Sequence, residues 1–69
     1  MNREEFIEEI NYKYNYCEEN KDLLTGLAQE KLLNVFFQMD KLDELSLEQL
    51  DDVHEEIMFS FCALEDLGL

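Results

Sequence analysis

Few residues in this chain have the type and spacing that chemistry needs. His54 is the only histidine. Asp51 stands three positions before it, which reproduces half of the carboxylate-x-x-His motif that holds paired metal ions inside some helical bundles. Such a site uses the motif twice and adds two inward glutamates. With one histidine in the chain, an intact site requires a second copy. The simpler reading puts His54 on a helix surface beside Asp51 and Glu55, whose carboxylates should hold its proton more firmly than in a free peptide. Asp40, Asp43 and Glu44 suggest a calcium loop. Counted from Asp40, however, the sixth position lacks the required glycine and the twelfth is Asp51 rather than a bidentate glutamate. Ser46 and Ser60 have no histidine at a recognisable nucleophile spacing. Cys17 and Cys62 are too few for a disulfide scaffold. Both read as free thiols among apolar neighbours, which quiets a thiol, with a Cys17–Cys62 bridge as the alternative. The only glycines are Gly26 and Gly68, so no phosphate-cradling loop exists. The expectation is a chain with no catalytic, cofactor-binding or metal-binding residues, and not an enzyme.

The charge carries more information. The sequence has 18 acidic against 5 basic residues, a formal net charge of −13. Such a molecule repels nucleic acid and anionic membranes and is drawn to basic protein surfaces. From Asp40 to Glu56 the carboxylates include Asp43, Glu44, Glu48, Asp51, Asp52, Glu55 and Glu56, against Lys41 alone. Glu48, Asp52, Glu55 and Glu56 recur at helical spacing, about 5–6 Å apart from turn to turn on one face, and like charges so placed destabilise a helix by a few tenths of a kcal/mol per pair. Solubility of a small domain needs a net charge of only ~2–8. A pattern that opposes folding without serving solubility points outward, to a basic partner surface. The spacing is comparable to that of phosphates along one DNA strand, which lie at ~3.4 Å of axial rise but further apart through space.

These residues need elements to position them. At 69 residues the chain is one acidic helical domain over 1–69. Apolar residues make up 46%, too many for a disordered acidic tail, and proline is absent. So few turn formers favour long helices over a small β-barrel or sandwich. The pattern predicts an all-α, three-helix up-down-up bundle with helices over about 3–19, 23–39 and 47–67. Asn2 and Glu5 form a capping box at the first start, and Ser46 and Gln49 form another at the third, with Leu45 and Leu50 as its hydrophobic staple. The alternating stretch Tyr12 to Tyr16 is assigned to the first helix because no strand is available to pair with it. Gly26 either delays the second start or permits a close approach of helices. Gly68 suits a left-handed C-cap, with Leu64 and Leu69 in contact. The predicted core stripes are Phe6, Ile7, Ile10, Tyr14 and Cys17; Leu24, Ala28, Leu32, Val35, Phe36 and Met39; and Leu50, Val53, Ile57, Phe61 and Leu64. A pair of long helices, its first segment ordered by dimerisation, is the alternative architecture.

Apolar residues outnumber the core positions. Phe37, Met58, Phe59 and Cys62 fall off the main stripes, as do Tyr12 and Tyr16. They are candidates for an apolar interface, either with a target or with a second copy of the chain.

In size, charge and Asn/Lys/Glu/Tyr-rich makeup the whole chain resembles the small acidic proteins that bacteriophages direct against host machinery: anti-CRISPR proteins, anti-restriction DNA mimics and polymerase inhibitors. The likeness is one of composition and attaches to no motif. It implies a non-enzymatic inhibitor or regulator that docks its acidic face on a basic, nucleic-acid-binding surface of a target protein, without binding nucleic acid itself. A homodimeric interaction protein, acidic only for solubility, is the competing expectation. The opening Met1-Asn2-Arg3-Glu4-Glu5 lacks the apolar run of a secretory leader, and no stretch approaches the ~20 apolar residues of a membrane span. The expected location is therefore the cytoplasm, that of the host if the gene is a phage's.

Overall fold

A computed structural model describes residues 1–68. It contains three α-helices, α1 (Arg3–Glu19), α2 (Gly26–Phe36) and α3 (Leu47–Asp66), and two 3₁₀ segments, Lys21–Leu23 and Met39–Glu44. Among the described residues there is no strand, and Tyr12 to Tyr16 lie inside α1. Both predicted capping boxes form. The Asn2 side chain accepts from the Glu5 N–H while Glu5 accepts from the Asn2 N–H. Ser46 and Gln49 exchange the same pair of bonds at α3. Each box satisfies N–H groups that a helix start otherwise leaves without partners.

Cross-helix contacts give the topology. Arg3 reaches the Leu45 carbonyl, Phe6 meets His54, and Tyr16 stacks on Phe61, so α1 and α3 run parallel. Ser60 meets Ala28, while Val35 and Gln38 share a cleft with Gln49 and Val53, so α2 runs antiparallel to α3. The bundle is up-down-up, about 31 × 19 × 17 Å. Helix α3 is its central element, with α1 and α2 packing chiefly on it. The core consists of Ile10 and Cys17 from α1, Leu24, Ala28, Leu32 and Val35, then Leu42 and Leu45, and Leu50, Val53, Ile57 and Leu64 from α3. Phe6, Ile7, Tyr14, Met39 and Phe61 pack partly buried at its edge.

Helix α2 departs from the sequence reading at both ends. It starts at Gly26, not near residue 23. Leu24 and Thr25 are extended, and Gly26 itself takes the left-handed φ of 59°. A Cβ built at Gly26 would meet nothing within 4 Å, so this glycine serves the turn into the helix and no close helix contact. The helix stops at Phe36 instead of Met39. The chain then enters the 3₁₀ segment, kinked at Lys41. Three residues per 3₁₀ turn bring positions i and i+3 to one side. That periodicity turns Met39, Leu42 and Leu45 inward, and Leu42 and Leu45 are buried. Phe36, assigned to the core stripe, is 54% exposed, because α2 uses Ala28, Leu32 and Val35 as its buried face.

Helix α3 ends one residue short of the prediction. Gly68 has φ 85°, and its N–H donates to the Glu65 carbonyl at 2.9 Å, the inner bond of the expected cap. The predicted Leu64–Leu69 contact lies outside the described residues. Ser60, which was no core candidate, is fully buried, and its hydroxyl donates to the Ala28 carbonyl at 2.6 Å. It joins α2 to α3 where a bare polar group would be costly.

Candidate functional site

The acidic residues derive their positions from α3. This helix carries Glu48, Asp51, Asp52, Glu55, Glu56, Glu65 and Asp66 and neither lysine nor arginine. Its inner stripe, Leu50, Val53, Ile57, Ser60 and Leu64, is buried. The opposite side therefore faces solvent, and Glu48, Asp51, Asp52 and Glu55 are all exposed on it. Asp43 and Glu44, also exposed, extend this surface from the 3₁₀ segment at the N-terminal end of α3. The Arg3 guanidinium holds that junction through the carbonyls of Asp43 and Leu45, and the Asp43 carboxylate has no ion pair among the described residues.

Glu56 behaves differently. It is half-buried and turns toward α2, lining a cleft of about 350 Å³ with Asn34, Phe37, Gln49 and Asp52. Its Oε2 is shielded from solvent and has no hydrogen-bond partner. The outward face is thus formed by Glu48, Asp51, Asp52 and Glu55, with Glu56 at its α2 edge.

Among the described residues, ion pairs occur only on the first helix and the turn after it, Glu9–Lys13 and Glu18–Lys21. None reaches a carboxylate of α3. The face is neither scattered around the bundle nor neutralised by it.

The six apolar candidates occupy three places. Tyr12 and Tyr16 flank the Phe61 ring, at 6.2 and 5.2 Å between centroids, and line the α1–α3 seam. Phe59 and Cys62 are exposed on the outer stripe of α3, in register with Asp52 and Glu55, while Met58 is half-buried beside them. Phe37 is 62% exposed at the end of α2, edge-on to Phe36. Sequence reasoning named Phe37 for this surface but missed Phe36, which it had placed in the core. Leu33, also exposed, completes a second apolar area on α2.

His54 is not the surface histidine the sequence suggested. It is half-buried, with the Phe6 ring 5.8 Å away edge-on and Lys13 Nζ 3.5 Å from its Nε2. Burial, and then the Lys13 charge, push its pKa below the usual value, outweighing the upward pull of Glu9, Asp51 and Glu55. The expectation of a firmly held proton is therefore reversed. The sequence does contain part of the signal, since Lys13 stands four residues after Glu9, the spacing of a helical ion pair. That Lys13 also lies over Phe61 depends on tertiary packing.

The two thiols differ. Cys17 is buried, and burial raises its pKa to about 11. Cys62, expected among apolar neighbours, is exposed, and the two cysteines are unbridged. Among the described residues no group of three or more histidine, cysteine or carboxylate side chains is disposed around a metal position, and no helix is long and apolar enough to cross a membrane.

Compared with protein-family models, curated proteins and solved structures, the chain matches none.

Proposed function

We propose that the protein is a non-enzymatic inhibitor or regulator that works by binding. Its α3 face, centred on Glu48, Asp51, Asp52 and Glu55 with Asp43, Glu44 and Glu56 at the margins, docks on a basic, nucleic-acid-binding surface of a target protein. The observation that carries this reading is a row of exposed carboxylates on one helix, with no ion pair to any of them among the described residues. A net charge of −13 would steer such a partner into fast, salt-sensitive association. The composition shared with phage-encoded inhibitors supports action in a host cytoplasm, with the acidic face as a mimic of nucleic acid.

The test is displacement of a labelled DNA duplex from purified DNA-binding proteins. The protein should release the duplex from its target at low salt and lose this effect at about 1 M salt, where the Debye length falls to ~3 Å. The Asp52→Lys/Glu55→Lys variant should fail to displace. If that variant displaced the duplex as well as the wild type, the proposal would be wrong.

Exposure of Phe37 and Phe59 favours a second reading, self-association with the charge serving solubility. Sedimentation at micromolar concentration separates the two. A dimer abolished by Phe37→Gln/Phe59→Gln, together with no duplex displacement, would select the second.

A further inference from the structure

We infer that the groove between the end of α1, the Lys21–Leu23 turn and α2 is a docking site for a basic amphipathic helix of a partner protein. Helices α1 and α2 each pack on α3 more than on one another, and α1 reaches the surface between the Lys21–Leu23 turn and α2 only through Glu18. A groove of about 790 Å³ opens there, and no residue of α3 lines it. Its apolar wall is Leu24, Leu32, Leu33 and Phe36. Leu24 and Leu32 are buried in the core, whereas Leu33 and Phe36 are each 54% exposed, so the wall continues the core outward to solvent.

The rim determines what fits. Glu18, Asp22 and Glu30 edge the groove, with Lys21 as its one cation. Lys21 is held by Glu18 at 3.3 Å. Asp22 and Glu30 have no ion pair among the described residues. An apolar floor with uncompensated carboxylates along its edges complements a helix that carries large apolar side chains on one face and lysine or arginine beside them. The lining on α2 runs from Gln29 to Phe36, about 12 Å at 1.5 Å per residue, which matches about two turns of a partner helix.

A second copy of this chain is a poorer occupant. Two copies meeting through the same face would bring two acidic rims together, with Asp22 and Glu30 of each unpaired among the described residues, on molecules that each carry −13. A basic helix gains both the apolar contact and the charge. The site is separate from the acidic face of α3, so either can fail without the other.

The test uses the full chain and a fluorescently labelled peptide of leucine and lysine, about 14 residues long, with its leucines on one helical face. A scrambled peptide of the same composition controls for charge alone. The ordered peptide should bind at least about tenfold more tightly than the scrambled one. That preference should survive Asp52→Lys/Glu55→Lys and disappear in Leu33→Gln/Phe36→Gln. Peptide-induced amide shifts should concentrate between Leu24 and Phe36; they also decide the matter if the groove variant does not fold. Equal binding of the two peptides, a preference retained in the groove variant, or shifts centred on α3 would each overturn the inference. So would a wild-type dimer dissolved by Leu33→Gln/Phe36→Gln, since the groove would then belong to a second copy.

Discussion

Replacing Asp52 by lysine should stabilise the fold, and the size of the gain measures how far the acidic face works against it. Asp52 is exposed on α3. Glu48 lies four residues before it, Glu55 three after and Glu56 four after, so three like-charge pairs meet at this side chain. Each such pair destabilises by ~0.2–0.5 kcal/mol, and an opposite-charge pair stabilises by a similar amount. Asp52→Lys converts all three from repulsive to attractive, and a glutamate four residues before the introduced lysine, as Glu48 is, is the better orientation. The sum is roughly 1–3 kcal/mol before screening, reduced to about 1–2 for pairs this exposed. Position 52 lies beyond the first turn of α3, where the helix dipole would oppose a lysine only weakly. In a domain of this size, such a gain raises the melting temperature by roughly 5–15 °C. Asp52→Asn, which only removes repulsion, should give about half. The assay is thermal unfolding followed by circular dichroism at low salt and again at about 1 M salt, where the advantage should shrink because the Debye length is only ~3 Å. An unchanged or lower melting point at low salt would refute the reasoning, because the carboxylates would then impose no strain that needs an explanation outside the fold. So would a gain that persists undiminished at high salt.

Two further outcomes follow from the interior. Because the pKa of His54 lies below its unfolded value of 6.5, the unfolded chain binds more protons, and the stability this group contributes is present above 6.5 and lost as pH falls toward the folded value. Urea midpoints should therefore fall between about pH 7.5 and pH 5.5, less so in His54→Gln, and the imidazole NMR signal should titrate below 6.5, moving upward in Lys13→Gln; a signal titrating above 6.5 would exclude this. Ser60→Ala removes the buried bond to Ala28 and should destabilise by about 0.5–1.5 kcal/mol, read as a lower melting temperature; an unchanged melt would mean the hydroxyl contributes nothing net.

Much of the fold was legible because local chemistry and tertiary packing agree. The capping boxes at Asn2 and Ser46 are written in four residues each, and the bundle keeps both starts. Where they disagree, the sequence misleads. The apolar run from Leu32 through Met39 reads as continuous helix, yet the chain leaves α-geometry at Phe36 because a three-residue repeat, Met39, Leu42 and Leu45, reaches the core better. Phe36 was misplaced for the same reason: helical spacing identifies a stripe, but only packing fixes which edge of it is covered. His54 shows the limit for the site. Its sequence neighbours are carboxylates, but its spatial neighbours are Phe6 and Lys13, separated from it by more than forty positions in the chain. Glu48, Asp51, Asp52 and Glu55 were readable as a face since one helix holds them all. The groove along α2 was not, because it lies between α2 and the Lys21–Leu23 turn, whose placement is fixed by tertiary packing.

The presence of a folded core bears on what the charge is for. If negative charge alone sufficed, a disordered acidic segment would present it without an apolar interior, and nothing would be lost by spreading the carboxylates apart. This chain instead devotes the buried stripe of α3 to packing against two other helices. The helix is thereby held against the bundle, and its acidic residues recur at helical intervals before any partner arrives. Pre-set geometry removes much of the ordering cost of association. For the proposed partner it would also discriminate, because only a basic surface whose cations match that spacing would engage several carboxylates at once. Repulsion within the face opposes folding, and an arriving set of cations relieves it. The proposed partner would therefore bind more tightly than attraction to an unstrained acidic surface provides, and would stabilise the fold as it binds.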